Sequence, residues 1–306
     1  MDQLIDKILF SGIDNAGKSS IIYTIKNQYH FMSGLKPTTG IKRKNYKVLD
    51  IEFILWDLGG QEAYRDSYFE REELVFSDVA LFMYVLDIQD EERFDLALSY
   101  YNKILNSMKK LKTNPIIIIL FHKTDPDLKY DEKTKIFLDD LRKRFEKISK
   151  GFDVTFFETS VFLKWSLINA FSYGLRKLSD KSAADLMKYL KEWAKILGTK
   201  SLILINDQDI VVGEYFKDKS SYLEINEKME NIVSIAKDSI KTNKPTIIRS
   251  ANTLISTDPI KIGDHNLLLV KYTDDPKKFE DIVSYTIDFE KYPDLETILN
   301  GYFKNY

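Results

Sequence analysis

The 306-residue sequence predicts an α/β fold, a doubly wound and mostly parallel sheet, followed by a smaller α+β module. Three observations carry that expectation. Short, almost wholly apolar segments (Val79 to Leu86, Ile116 to Phe121) alternate with long charged segments bearing apolar stripes, Glu91 to Lys110 and Asp131 to Ser149. Strands apolar on both faces belong to a sheet covered on both sides, which is where parallel strands occur. Beyond about residue 178 the alternation gives way to runs of strands separated from helices, the pattern of an antiparallel sheet.

In chain order, Lys7 to Phe10 reads as a strand running into a glycine loop, and Ser19 to Asn27 as a helix. Tyr46 to Val48 and Ile51 to Trp56 read as two strands of a hairpin, with Lys42, Arg43 and Lys44 beside them as a solvated edge. The two apolar strands and two charged helices follow, then a shorter strand, Val154 to Phe157, and a last helix, Trp165 to Lys177. The second part reads as helix 183–197, strands 201–205 and 210–216, and helix 224–240. Three strands follow, near Thr246 to Arg249, Thr253 to Ser256 with Lys261, and Asn266 to Lys271, and a helical restart at Pro276 to Ile287. The expected domains are 1–178 and 181–306, with Leu178 to Ser182 as the boundary.

Composition narrows the function. A net charge of −2 lacks the basic excess that non-specific nucleic-acid binding requires. With no cysteines, disulfides, thiolate metal sites and cysteine nucleophiles are excluded. Met1-Asp2-Gln3 carries neither a signal-peptide pattern nor the glycine that N-myristoylation needs. The longest apolar run, Pro115 to Phe121, is far below the roughly 20 residues that span a bilayer. A cytoplasmic protein is expected.

The motifs are more specific. Gly12-Ile13-Asp14-Asn15-Ala16-Gly17-Lys18-Ser19 matches G-x-x-x-x-G-K-[ST] between a strand and a helix. Glycines there let successive backbone N–H groups face a phosphate chain, the helix N-terminus adds its positive dipole end, Lys18 adds a point charge, and the Ser19 hydroxyl can ligate Mg²⁺. Trp56-Asp57-Leu58-Gly59-Gly60-Gln61 follows the next strand. Asp57 at the strand end suits a water-mediated Mg²⁺ carboxylate, Gly60 permits close approach of a backbone N–H to a γ-phosphate, and Gln61 is placed to orient a water. His122-Lys123-Thr124-Asp125 closes the apolar strand. A carboxylate at Asp125 can accept both N1–H and the exocyclic amine of guanine, and the Lys123 stem can lie over the base. Glu158-Thr159-Ser160 offers backbone contacts to the base. In Lys36-Pro37-Thr38-Thr39-Gly40 either threonine could complete a Mg²⁺ shell that includes a γ-phosphate.

Together these residues resemble the Ras-like small GTPases over roughly residues 1 to 178. Asp14-Asn15-Ala16 is similar to the phosphate loop of the Arf and Arf-like branch, in which a Pro-Thr pair precedes Trp-Asp-x-Gly-Gly-Gln. Pro37-Thr38 stands at the matching spacing and favours Thr38 over Thr39. His122-Lys123-Thr124-Asp125 is similar to the Rag (Gtr) GTPases, as are Gln61-Glu62-Ala63-Tyr64, Tyr68-Phe69, Phe76-Ser77-Asp78-Val79 and Thr159-Ser160. The helix and strand order of the second part is similar to the roadblock module that follows the GTPase in Rag proteins.

The resemblance implies a P-loop GTPase fold plus a roadblock-like domain. It implies nucleotide contacts from Asp14, Asn15, Ala16, Gly17, Lys18, Ser19, Ser20, Thr38, Gly60, His122, Lys123, Asp125, Ser160 and Val161. Mg²⁺ would be held by Ser19 and Thr38, and by Asp57 through water, with GTP and GDP as ligands and Gln61 as the catalytic residue. The expected function is a GTP-binding switch with slow hydrolysis. It would act as a homodimer or a heterodimer with a related GTPase through the roadblock-like domain. An exchange factor, an activating protein and effectors are the other expected partners, and membranes would be reached only through partners. Two readings compete with this one: an Arf-like trafficking GTPase, and a scaffold that holds nucleotide with little hydrolysis. No arginine finger stands out, and Arg65 is expected to be an exposed helix arginine. Ile225, Met229, Ile232, Val233, Ile235 and Ala236 spread over an arc wide enough to cover a sheet and also face a partner.

Overall fold

The computed structural model describes residues 6–26, 38–48, 51–128, 131–262, 265–284, 292 and 294–304. Its contacts divide the chain into two units, residues 1–170 and 171–305.

In the first unit β1 (Asp6–Ser11), β2 (Ile41–Val48), β3 (Ile51–Leu58), β4 (Val79–Asp87), β5 (Ile116–His122) and β6 (Val154–Thr159) form one sheet in the order β2-β3-β1-β4-β5-β6. Only β2, paired with β3, runs antiparallel. The helices α1 (Lys18–Ile25), α2 (Glu62–Phe69), α3 (Glu72–Phe76), α4 (Phe94–Lys110), α5 (Glu132–Ile148) and α6 (Lys164–Leu178) connect and follow the strands. The apolar runs end up where their composition requires. Leu81 to Leu86 and Ile117 to Phe121 are buried, and an aromatic cluster of Tyr84, Tyr101 and Phe145 packs beside them at 4.9–6.0 Å between rings. Asp131 caps α5, its Oδ2 accepting the Thr134 N–H at 2.7 Å, a contact of about 1 kcal/mol. Lys42 to Lys44 are exposed on β2, the sheet edge, where Arg43 lies over the Trp56 ring. The short helices α2 and α3 were not evident in the sequence, and Asn27, Lys36 and Pro37 lie outside the described residues.

The second unit holds α7 (Asp180–Leu197), β7 (Ser201–Asn206), β8 (Val211–Phe216), α8 (Lys219–Thr242), β9 (Thr246–Arg249), β10 (Leu254–Ile262), β11 (His265–Thr273), α9 (Phe279–Ser284) and α10 (Asp294–Lys304). Its sheet is antiparallel in the order β8-β7-β11-β10-β9. α8 starts five residues earlier than the apolar pattern suggests, because Asp218 caps it by accepting the Ser221 N–H at 2.8 Å. α10 had no counterpart in the sequence reading, and residues 285–287 of the expected helical restart lie outside the described residues.

The division between units falls inside α6, ahead of the expected boundary at Leu178. The physical reason is polar as well as apolar. Buried Ser172 Oγ accepts the Val211 N–H at 3.0 Å, and Arg176 donates to Val211 O at 3.1 Å and to Glu214 Oε1 at 2.6 Å. The apolar arc of α8 is also less free than its width implies. Ile225, Met229, Ile232, Val233 and Ala236 are all buried within the chain, and Ile235 alone of the six is exposed, at 45 %. Among the described residues no helix is long and apolar enough to cross a membrane.

Candidate functional site

The parallel strands of the first sheet carry their chemistry at their carboxyl ends, around the point where the chain order reverses on either side of β1. β1 delivers the glycine loop, β3 Asp57, β4 Asp87, β5 His122 and β6 Thr159; Phe10 pairs with Asp57, Asp87 with His122, and His122 with Thr159.

The glycine loop leaves β1 and enters α1 at Gly17, which has φ +92° and so sits where L side chains are strained. A Cβ there would stand 2.6 Å from Cδ2 of His122. Lys18 is buried and folds back over the loop, donating to Gly12 O at 2.9 Å and Ile13 O at 2.8 Å. Burial lowers its pKa to about 8, against the opposing pull of Asp57 and Asp14.

Beside it, three oxygens converge. Ser19 Oγ stands 2.9 Å from Asp57 Oδ2 and 2.9 Å from Thr38 Oγ1, and Thr38 Oγ1 is 3.2 Å from Asp57 Oδ2. The second oxygen of Asp57, Oδ1, is buried without a hydrogen-bond partner. Burial raises the Asp57 pKa, with Lys18 and the two hydroxyls opposing. Hydroxyl, hydroxyl and carboxylate with an orphaned buried oxygen form a hard-cation donor set, and these residues fit Mg²⁺. Thr38 is buried and takes part, whereas Thr39 is exposed.

An open cleft of about 370 Å³ is lined by Asp14, Asn15, Gly17, Lys18, Ser19, Ser20, Thr38, Gly60, Gln61 and Lys123. Every one of these was singled out in the sequence. Gly60 has no room for a side chain, since a Cβ would meet Asp14 N at 2.3 Å, and its carbonyl accepts the Asp14 N–H at 3.1 Å. Gln61 precedes α2 in an extended conformation. Ala16 is fully buried behind the loop.

His122, also expected at the nucleotide, does not line the cleft. It is 1 % exposed, its Nδ1 is 3.0 Å from Thr159 Oγ1, and its ring edge fills the space left by the absent side chain of Gly17. Burial, helped by the Lys123 charge, pushes its pKa down to about 4, so the ring is neutral. It buttresses the phosphate loop from behind. Asp125 forms a second cluster: its Oδ1 accepts from Ser160 Oγ at 2.6 Å, and its Oδ2 from Gln89 Nε2 at 3.1 Å. Gln89 also donates to Lys123 O at 2.9 Å, and Lys123 Nζ pairs with Asp87 at 2.5 Å. Val161, between Ser160 and the exposed Phe162, is half-buried.

Several contributors were missed in the sequence. Asp87 and Gln89 follow a strand whose apolar run gave no hint of a polar tip. Tyr68, fully buried, donates from Oη to both Gly40 O at 2.9 Å and Gly59 O at 3.0 Å, tying the Thr38 loop to the Gln61 loop. Arg65 is not the exposed arginine expected: it is 7 % exposed, with its guanidinium 5.5 Å from the Tyr100 ring centre. On a short helix pressed against the core, its face points inward.

The family model of the Gtr1/RagA G protein conserved region matches residues 7–235, which covers the first unit from residue 7 onward and continues through most of α8. The GTP-binding protein gtr1 of Schizosaccharomyces pombe is 24% identical over 280 residues, covering 88% of this chain and 85% of that protein. The ADP-ribosylation factor-like protein alp41 of the same yeast is 30% identical over 122 residues, 39% of this chain and 60% of that protein. A solved structure of the Arl6 BBS3 small GTPase from Trypanosoma brucei, with bound nucleotide analogue GppNp, aligns with a TM-score of 0.46 and 17% identity over 57% of this chain and 98% of that one. Since the family model spans about three quarters of the sequence, from β1 into α8, the chain belongs to the Gtr1/RagA G-protein family, GTPases that bind GTP and GDP.

Proposed function

We propose that this chain is a Mg²⁺-dependent GTP switch with slow intrinsic hydrolysis that assembles with a second GTPase chain through its C-terminal unit. The observation that carries the metal-dependent reading is the convergence of Ser19, Thr38 and Asp57 with a buried, unpartnered Asp57 oxygen. In this reading Lys18 exchanges its two carbonyl partners for phosphate oxygens, and backbone N–H groups of Asn15 to Ser20 line the phosphate chain. Ser19 and Thr38 would hold Mg²⁺ by their hydroxyls, and Asp57 would hold it through water. The ion, when bound, would neutralise charge on the phosphate oxygens. Gln61 orients the attacking water, and Gly60 N–H faces the γ-phosphate. Asp125 exchanges Gln89 and Ser160 for the guanine N–H groups, Lys123 lies along the base, and Ser160 and Val161 offer backbone contacts.

Residues 1–178 would form the GTPase domain and 181–306 a roadblock-like domain. The latter is supported by the order α7-β7-β8-α8-β9-β10-β11-α9 around one antiparallel sheet. β9 is an edge strand whose outer hydrogen-bonding groups are unpaired within the sheet, and Ile247 on it is 44 % exposed. Pairing of two such edges would make a continuous sheet; the partner is a second copy or a related chain. The proposed location is the cytoplasm, with membrane recruitment through partners. Purifying the full chain, identifying its bound nucleotide by mass, and measuring nucleotide release with and without a Mg²⁺ chelator tests the central claim. Bound guanine nucleotide, released faster once Mg²⁺ is removed, is the expected result.

A further inference from the structure

One residue lining the cleft bears a charge that does not suit a polyphosphate. Asp14 lines it, and the Asp14 N–H is bonded to Gly60 O at 3.1 Å, which puts this residue at the Gly60 end of the cleft. Its carboxylate is held by an arginine that sequence reasoning passed over. Arg93 ends a single 3-10 turn, Glu91–Arg93, between β4 and α4. Its Nη1 donates to Asp14 Oδ2 at 3.0 Å, its Nη2 to Asp14 O at 3.4 Å, and its Nε to Asp90 Oδ2 at 2.6 Å. Both sides of the Arg93–Asp14 pair are about a third exposed, so it is accessible to solvent but fixed by three donors. These hydrogen bonds, with Asp90 the strongest, hold the arginine pKa up.

We propose that Arg93 sets the ratio of triphosphate to diphosphate affinity by holding the Asp14 carboxylate neutralised and turned from the terminal phosphate. It acts through Asp14 and is a positioning residue. An unpaired carboxylate at the Gly60 end repels whatever phosphate lies nearest. A diphosphate carries less charge and ends farther from Gly60, so the repulsion falls chiefly on the triphosphate. The inference rests on the reading that the γ-phosphate lies beside Gly60.

The test is calorimetric titration of the nucleotide-free full chain with GDP and with a non-hydrolysable GTP analogue. Arg93→Ala is expected to lower the affinity for the analogue relative to GDP by roughly tenfold, about 1.4 kcal/mol. The deficit should shrink at high ionic strength, because both groups are solvent-accessible. Removing Arg93 also frees Asp90, so the decisive variant is Asp14→Asn with Arg93→Ala, which should restore the wild-type ratio. Arg93→Lys, which keeps the charge, should keep most of the ratio and covers the case in which Arg93→Ala does not fold. An unchanged ratio in Arg93→Ala overturns the proposal. So does a deficit that persists in the double variant, which would mean that Arg93 touches phosphate itself. Failure of the proposed GTP-switch function looks different: the wild-type chain would bind neither nucleotide, and both ideas would fall.

Discussion

The His122 imidazole occupies the space that a side chain on Gly17 would fill, 2.6 Å from the position of the missing Cβ. A helix N-terminus that binds phosphate needs its first N–H groups bare, and the loop that bares them must be supported from the other side. Gly17→Ala should therefore abolish nucleotide binding, because the added methyl meets a buried ring held by Thr159 and forces a strained φ. His122→Ala should leave the fold intact but weaken nucleotide affinity. Equilibrium binding of a fluorescent GDP analogue checks both, and a tightly binding Gly17→Ala would contradict the buttress.

Because the His122 pKa is lowered to about 4 from 6.5, this ring resists protonation in the folded state. Above pH 6.5 neither state binds the proton and the group is silent. Below pH 6.5 the unfolded chain takes up a proton that the folded chain refuses, so stability falls as pH drops toward 4, by roughly 3 kcal/mol. Urea melts at stepped pH should show a steeper acid loss for the wild type than for His122→Asn.

Lys18 behaves differently. Its pKa of about 8 in the nucleotide-free chain means the amine is partly neutral in mild alkali, whereas phosphate oxygens require it charged. Binding must then take up a proton, and affinity for GDP should fall as pH rises above about 8, approaching tenfold per pH unit for one proton. Lys18→Arg, charged throughout, should flatten that slope. Titrations between neutral and mildly alkaline pH read it directly.

Asp125→Asn should lose GTP and gain xanthosine triphosphate, since a site built to accept two N–H groups discriminates by roughly 10⁴ or more. Gln89→Ala, which removes one donor from the same carboxylate, should change GTP affinity by less than tenfold while preserving the base preference. Competition binding with inosine, guanosine and xanthosine nucleotides separates the two roles.

Gln61→Leu should keep nucleotide affinity and slow phosphate release in single turnover, because the residue acts on water. Ser19→Asn should weaken Mg²⁺-dependent triphosphate binding instead. Hydrolysis at the wild-type rate in Gln61→Leu would favour a scaffold that merely holds nucleotide.

Assembly has its own test. Ile247→Glu on β9 and Ile235→Glu on α8 alter exposed positions, so folding should survive. If the edge strand pairs with another chain, light scattering of the full-length variants should report monomers where the wild type forms dimers. A wild-type chain that is monomeric alone would leave a heterodimer with a related GTPase as the partner to seek.

Much of the site was written in one dimension because its groups come from contiguous segments. The loop from Gly12 to Ser19, the strand-end Asp57 with Gly60 and Gln61, and Lys123 with Asp125 each owe their role to a position at the end of a strand, and apolar runs reveal strand ends. Doubly wound topology then brings the carboxyl ends together, so local pattern was sufficient to foresee which residues line the cleft. Contacts between segments far apart in sequence left no such trace. Nothing local says that Tyr68 reaches Gly40 and Gly59, that Gln89 and Ser160 hold Asp125, that His122 packs against Gly17 instead of lining the cleft, or that Arg93 pairs with a residue 79 positions earlier. The same limit applies to burial. Arg65 read as exposed from its own helix and the α8 apolar arc as wide enough to reach both a sheet and a partner, and only the elements packed against them decide how much of each is buried. Periodicity records which side of an element is apolar, whereas the partner of each polar group depends on how the chain is brought together in three dimensions.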